Sequence, residues 1–406
     1  MTAAPSQFLT TASELTALVK DIRASGRLAL DTEFVWERTY RPELGVIQIA
    51  TDRTVAVIDT VAIKDLSALF PVLQDPKIPV VLHGGGQDLE IMAVLMGTPM
   101  RGVVDTQIEA AFLGYGLQVG LSVLLERVLK VRIRKDQTYT DWLRRPLKPE
   151  QVVYAEQDVL HLLAMHDGLR ADLERRERLA WVEEELRDLE DPERWTPLPD
   201  AERFRTVKSW QRHDGRELAV LRMLAAWRER AARRANIRPN FICNDVVLTT
   251  ISSRPVDSID ELRQVRGLSS GTVDRHGKAL LAAIAEGVGC PREQWPEAPP
   301  RVRHHAPPSG LMALLRASVQ AVADREEIAP EVIASARDIE GLIEVATAKG
   351  REVPSADENR LLHGWRHRLT GEMLLRIARG EVRIRYDPVK REVVSEPHEP
   401  AVSAAK

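Results

Sequence analysis

Over the first 110 positions the hydrophobic residues recur mostly with the two-residue period of strands. In residues 28–34, Leu28, Leu30 and Phe34 fall on one face, with Asp31 and Glu33 together on the other. Gly45-Val46-Ile47-Gln48-Ile49-Ala50 and Thr54-Val55-Ala56-Val57-Ile58-Asp59 read as two more strands. Only Asp52-Arg53 lies between them, room for a tight turn, so the two pair antiparallel. Residues 78–83 form a further apolar strand and 103–105 a short fifth one. Helical spacing marks 13–25, capped by Ser13, then 65–73, 88–96 and a helix over 150–167. A three-stranded meander followed by alternating helix and strand predicts an α/β domain with a mixed sheet.

The acidic face of the first of these strands is costly. Adjacent carboxylates repel, and burial adds to the penalty. Two readings account for it: a bound divalent cation that offsets both costs, or a half-exposed edge strand with a solvated acidic face. Two later segments bear on the choice. In His83-Gly84-Gly85-Gly86-Gln87-Asp88-Leu89-Glu90 the glycines turn the chain off a strand end and place Asp88 in the first turn of a helix. A glycine run before a helix also suits phosphate, but no Lys-Ser/Thr follows, so a nucleotide-triphosphate loop is not expected. In the helix over 150–167, Tyr154 and Asp158 are four apart and share a face. Val152, Val153, Val159, Leu160 and Leu163 supply its apolar surface, and His161 reads as a partly exposed helix residue.

Taken together these segments resemble the DEDD exonuclease superfamily, and within it the ribonuclease D family. Asp31-Thr32-Glu33-Phe34 is similar to the first exonuclease motif. His83 through Glu90 resembles the second, with Asp88 as its acid. Tyr154-Ala155-Glu156-Gln157-Asp158 resembles the third, in the form with Tyr four residues ahead of Asp. Arg38-Thr39-Tyr40-Arg41-Pro42-Glu43-Leu44-Gly45, Val104-Asp105-Thr106-Gln107 and Thr140-Asp141-Trp142-Leu143 match in order, so the likeness covers nearly all of residues 25–175. There are two departures. Trp36 stands where a basic residue is expected, and Gly84-Gly85-Gly86 is unusually glycine-rich.

The resemblance implies a ribonuclease H-like fold and metal-dependent 3′→5′ hydrolysis that releases nucleoside 5′-monophosphates. It implies two Mg²⁺ or Mn²⁺ ions, hard cations that prefer oxygen, roughly 3.5–4 Å apart. In that scheme Asp31 bridges the ions, Glu33 and Asp158 complete the site that activates water, and Asp88 supports the second ion directly or through water. Tyr154 orients the attacking water, because a phenol with a pKa near 10 is a poor general base. The implied substrate is RNA with a free 3′ end, tRNA precursors foremost, with no organic cofactor. A DNA 3′→5′ exonuclease of the same superfamily is one alternative. A non-catalytic RNA-binding scaffold is the other, and the full set of Asp31, Glu33, Asp88, Asp158 and Tyr154 speaks against it.

At 406 residues the chain is long enough for two or three domains. Residues 1–190 form the exonuclease domain and 191–205 a linker containing prolines. Within the stretch before it, the charges of Arg175-Arg176-Glu177-Arg178 and Glu183-Glu184-Glu185 suit pairing along a helix. Residues 206–290 read as all helix. They resemble the HRDC module through Asn240-Phe241-Ile242, Arg266-Gly267-Leu268 and His276-Gly277-Lys278. A Pro-rich linker, 291–308, carries His304-His305, which lack the partners of a metal site. A second HRDC-like bundle is expected over 309–385 and a disordered tail over 386–406.

The net charge of -3 hides an asymmetry. Residues 1–190 hold 22 Lys+Arg against 29 Asp+Glu, whereas 206–290 hold 14 against 9. A basic second part beside an acidic metal site suits an anionic polymer, with Arg228, Arg230, Arg233, Arg234, Arg238 and Lys278 as candidate phosphate contacts. The other reading of these arginines is a solvated helix face. Cys243 and Cys290 match no metal or disulfide pattern. No apolar run reaches the length of a membrane span and no secretory leader is evident, so the expected compartment is the cytoplasm.

Overall fold

The computed structural model describes residues 6–37, 39–133, 140–298, 307–348, 359–389 and 392–397. Chain order begins with β1 (Ser6–Leu9), α1 (Ala12–Ser25), β2 (Leu28–Val35), β3 (Glu43–Ala50) and β4 (Val55–Asp59). It continues through β5 (Val80–Leu82), α2 (Gly86–Met96) and β6 (Val103–Asp105). The six strands form one mixed sheet in the order β1-β4-β3-β2-β5-β6. β2, β3 and β4 are the expected antiparallel meander, while β5 lies parallel to β2 and β6 parallel to β5. The short edge strand β1, unforeseen in the hydrophobic pattern, lies parallel to β4.

Side chains alternate across this sheet as the two-residue period requires. Leu28, Leu30, Ile47, Ile49 and Ile58 pack with Leu15, Leu18 and Ile22 of α1. Ala29, Ala50, Val55 and Val81 line the opposite layer, against helices that follow β6. The alternation fails at one place. A register shift opposite Glu33 and Phe34 leaves Gly45 of β3 as an extra residue, and pairing resumes at Phe34–Leu44 and Val35–Glu43. Phe34 lines the same pocket as Asp31, Thr32 and Glu33.

Several helix expectations shift. Thr11, not Ser13, caps α1: its backbone is extended, and it forms a reciprocal capping box with Glu14. The helix expected over 150–167 is two, α3 (Pro149–Leu160) and α4 (Leu162–Arg175), separated at His161 (φ -110°, ψ 0°). Val153 and Leu160 are 50% and 36% exposed, so neither supplies buried apolar surface. His161 is partly exposed, as expected, but it stands at the break between two helices.

The first helical unit is built on α5 (Gly215–Ala235), whose Leu218, Leu221 and Leu224 pack with Val247, Leu248, Ile251, Leu280 and Ile284 in a core of their own. Asn244 caps the following helix by accepting from the Val247 N–H. Among the described residues, the second helical unit has no separate core. α6 (Ser309–Glu326) and the helices after it share one with the sheet domain, in which Phe112 meets Trp365 edge-on at 5.2 Å and Trp181 stacks on Trp365 at 5.1 Å.

The charged stretch before the linker serves this junction more than it serves helical pairing. Arg178, 6% exposed, donates to the Phe112 and Glu326 carbonyls; Arg176 pairs with Glu327, and Glu185 with Arg366. Arg175 pairs along its own helix, with Asp172. The tail expected to be disordered from residue 386 holds a strand: β7 (Val382–Asp387) pairs antiparallel with β8 (Glu392–Pro397), and Arg385 meets Glu396 at 2.6 Å. That pairing offsets the polar composition of the segment. His304 and His305 lie outside the described residues.

Candidate active site

β2, the start of α2, and α3 converge on one pocket of about 280 Å³, whose walls include Asp31, Glu33, Phe34, His83, Asp88, Tyr154 and Asp158. One oxygen each from Asp31, Glu33 and Asp158 lie within 4.8 Å of one another. Asp31 and Glu33 meet because they are two apart on one strand. Asp158 meets them because α3 packs across β2, β3 and β4. Asp88 stands slightly apart: 7% exposed, it accepts from the Thr32 Oγ1 hydroxyl at 2.5 Å. The five residues expected to carry the chemistry are thus brought together, three as a tight triad and two beside it.

The electrostatics are those of a site that wants positive charge. Burial, then the neighbouring Asp88, Asp158 and Glu33, hold the Asp31 carboxyl well above the usual range. Burial, then Asp158 and Asp88, push Glu33 up to about 8. Asp88 is raised by burial, against the pull of its Thr32 bond. Tyr154 is raised too, by burial first and then by Asp158, Glu33 and Asp31, so its phenol stays protonated. Crowded, partly desolvated carboxylates of this kind fit hard divalent cations, which take oxygen ligands and relieve the repulsion. No cysteine or histidine belongs to the triad, so the donor set is unsuited to softer metals.

Residues that the motifs passed over hold the site in place. Asp105, at the end of β6, accepts from the Gly84 and Gly85 N–H groups at 2.9 and 3.0 Å, and from Gln107 N–H at 2.8 Å. The glycine run is therefore tied to a neighbouring strand, and those two N–H groups are not offered to a phosphate. Gly84 has φ +65°, and a Cβ on Gly85 would meet Leu82 Cβ at 2.8 Å, which accounts for two of the three glycines. The His83 ring is held between Thr106 Oγ1 and the Val119 carbonyl, both at 3.0 Å. Asp105 entered the sequence reading only as a matched position; an acid at a strand end before a helix is the signal that would have found it. Trp142 was legible only as a matched position; its buried ring lies 6.2 Å from that of Tyr154 and backs it.

The basic candidates divide. Arg228 is 4% exposed and bonded to Asp245 and the Cys243 carbonyl, so it is a core ion pair and not a phosphate contact. Arg233 pairs with Asp200 and lies 5.5 Å over the Tyr40 ring. Arg238 lies 5.1 Å over Trp36 and donates to its carbonyl at 2.7 Å. A cation does stand beside position 36 after all, supplied by the helical unit. Arg230, Arg234 and Lys278 are exposed. Cys243 is buried, its thiol pushed up to about 12 by that burial, and both cysteines are free thiols.

Comparison with known proteins gives a consistent result. Residues 6–174 match a 3′–5′ exonuclease family, 217–284 the HRDC domain, and 310–374 the C-terminal HRDC domain of ribonuclease D. The chain is 38% identical to ribonuclease D of Granulibacter bethesdensis over 93% of its length and 94% of the relative's. It is 33% identical to ribonuclease D of Escherichia coli, covering 91% and 97% of the two chains. The crystal structure of E. coli RNase D, described as an exoribonuclease involved in structured RNA processing, superposes with a TM-score of 0.81 at 31% identity, covering 92% of this chain and 99% of that one. Among the described residues, no helix is long and apolar enough to cross a membrane.

Proposed function

The chain belongs to the ribonuclease D family and is a 3′→5′ exoribonuclease that uses divalent metal; from that premise we propose that it hydrolyses single-stranded RNA 3′ ends to nucleoside 5′-monophosphates with two Mg²⁺ or Mn²⁺ ions. The observation that carries this reading is the triad of Asp31, Glu33 and Asp158 with oxygens within 4.8 Å, beside a buried Asp88. Asp31, Glu33 and Asp158, with Asp88 beside them, are the residues that would hold the ions. Such ions supply Lewis-acid charge at a phosphate and a nucleophile at neutral pH.

The chain's own part is geometric. Tyr154 stands one helical turn before Asp158 on α3, its phenol kept neutral, and positions water by hydrogen bonding. Phe34 offers an aromatic surface at the pocket wall for the terminal base. We further assign the nuclease role to residues 1–190, with 191–205 and 291–308 as linkers and 206–290 and 309–385 as helical domains. Arg230, Arg234 and Lys278 are the phosphate contacts retained. The substrates proposed are tRNA precursors and other structured RNAs with free 3′ ends, in the cytoplasm. The structured-RNA part of this reading extends to this chain what is described for the E. coli relative.

The test is degradation of a 5′-labelled RNA with a single-stranded 3′ end in Mg²⁺, Mn²⁺ or EDTA, beside a matched DNA. A metal-dependent ladder shortening from the 3′ end of the RNA is expected, with mononucleotides as product. Equal shortening of DNA would overturn the RNA preference. RNA binding without cleavage in either metal would replace the enzyme with a scaffold.

A further inference from the structure

A second cavity, about 660 Å³, opens where the nuclease domain, the linker and the first helical unit meet. That volume lies within the usual range for a small-ligand site. Two of its walls begin at the carboxylates. Trp36 lies three residues beyond Glu33 on the β2 side, about 10 Å along an extended chain. Ile91 and Leu95 extend the Asp88 side of α2, about 4.5 and 10 Å further along its axis. Trp195 and Leu198 of the linker close the far wall.

The lining suits a nucleotide. Trp36 and Trp195 offer aromatic surface, and Leu95 and Leu198 remain 41% exposed at the opening. Arg41, Arg194 and Arg203 outnumber the acids Glu90 and Glu229, and Glu229 is engaged by the Tyr40 hydroxyl at 2.7 Å. Two donors at this wall, Trp36 Nε1 and Arg203 Nε, are buried with no hydrogen-bond partner among the described residues. Unpaired buried donors are disfavoured, and acceptors on a base or phosphate would relieve them after a small turn of either side chain.

We propose that this cavity seats an upstream nucleotide of the RNA whose 3′ end lies among the carboxylates, an assignment that rests on the exoribonuclease reading. The first helical unit and the linker then grip the strand behind the scissile bond, and Trp36 is the platform at which the two sites join. A dinucleotide is too short to fill both sites, so the cavity contributes only to longer substrates.

The test has two arms. In wild-type protein with EDTA, RNAs carrying 4-thiouridine at successive positions are photo-crosslinked and the adducts mapped. An internal 4-thiouridine should attach to Trp36 or Trp195. Crosslinks confined to the carboxylate pocket would overturn the proposal. In the second arm Leu95→Trp and Leu198→Glu are compared with wild type on a long single-stranded RNA and on a dinucleotide. Because base–aromatic stacking is worth about tenfold or more in binding, the long-RNA to dinucleotide ratio of kcat/KM should fall about tenfold. An unchanged ratio, or loss of inhibition by a free mononucleotide with long RNA unaffected, would overturn it. If wild-type protein cleaves nothing in either metal, the enzyme reading fails, and the crosslinks still decide the cavity.

Discussion

Asp158 and Glu33 show how much of the chemistry is set by single side chains. Asp158→Asn removes one charge from the triad while keeping its shape, so turnover should fall by at least about a thousandfold with RNA affinity within a few-fold. Wild-type turnover in the mutant, measured with a 5′-labelled RNA, would sink the metal assignment. Glu33 has a second consequence. Its carboxyl is raised from 4.5 to about 8, so between those values the metal-free folded state holds a proton that the unfolded chain has lost. The stability linked to that proton is fully present below about 4.5 and is lost as pH rises through about 8. In EDTA, the Tm of wild type relative to Glu33→Gln should fall as pH rises from about 6 to 8. Mg²⁺ or Mn²⁺ should restore it, with the larger rise at the higher pH. Parallel melting curves for the two proteins across that interval would contradict the burial and repulsion at this site.

At the scale of elements the site depends on close approaches. A Cβ on Gly45 of β3 would meet the Trp142 carbonyl oxygen at 2.6 Å and its Cβ at 2.8 Å, and Trp142 backs Tyr154. Gly45→Ala should therefore cost about 1–3 kcal/mol, read by thermal melting. Turnover should fall with it, because the Tyr154 ring loses its support; full activity in a destabilised protein would detach Trp142 from the site. The strand with two carboxylates, the acid behind the glycines and the Tyr/Asp pair were all legible in sequence, because each is a local pattern and the three stand in the order of the exonuclease motifs. The Glu33/Phe34 bulge was not, since it arises only in the pairing with β3. The break at His161 was not, because the surrounding apolar residues keep a helical spacing on both sides of it. Edge strand β1 was hidden by its length, four residues with one buried. Arg228 was misread because an arginine in a basic run gives no sign, in sequence, that Asp245 and a carbonyl wait beside it.

In the whole molecule the two helical units are attached in different ways, and that difference is testable. The first keeps its own core and touches the nuclease domain through polar and stacking contacts: Arg238 on Trp36, Tyr40 on Glu229, Asn236 on Glu43. Polar and cation–π contacts of this kind are worth little singly, so Arg238→Ala should change stability by less than about 1 kcal/mol. The second unit completes the hydrophobic core of the nuclease domain, and the Ala329 N–H donates across the junction to the Ala111 carbonyl at 3.0 Å. Arg178→Ala would strip donors from two carbonyls at that junction, at a cost of about 2–4 kcal/mol. Deleting residues 206–385 therefore does not isolate RNA binding from catalysis, because it also uncovers Phe112, Leu169 and Leu173. A chain ending at residue 298 should lose the cooperative unfolding of the nuclease domain and bind a hydrophobic dye, while Arg238→Ala should keep a single sharp transition. A stable, active truncation would mean that the shared core is an incidental contact; its collapse would make the C-terminal bundle part of the nuclease fold itself.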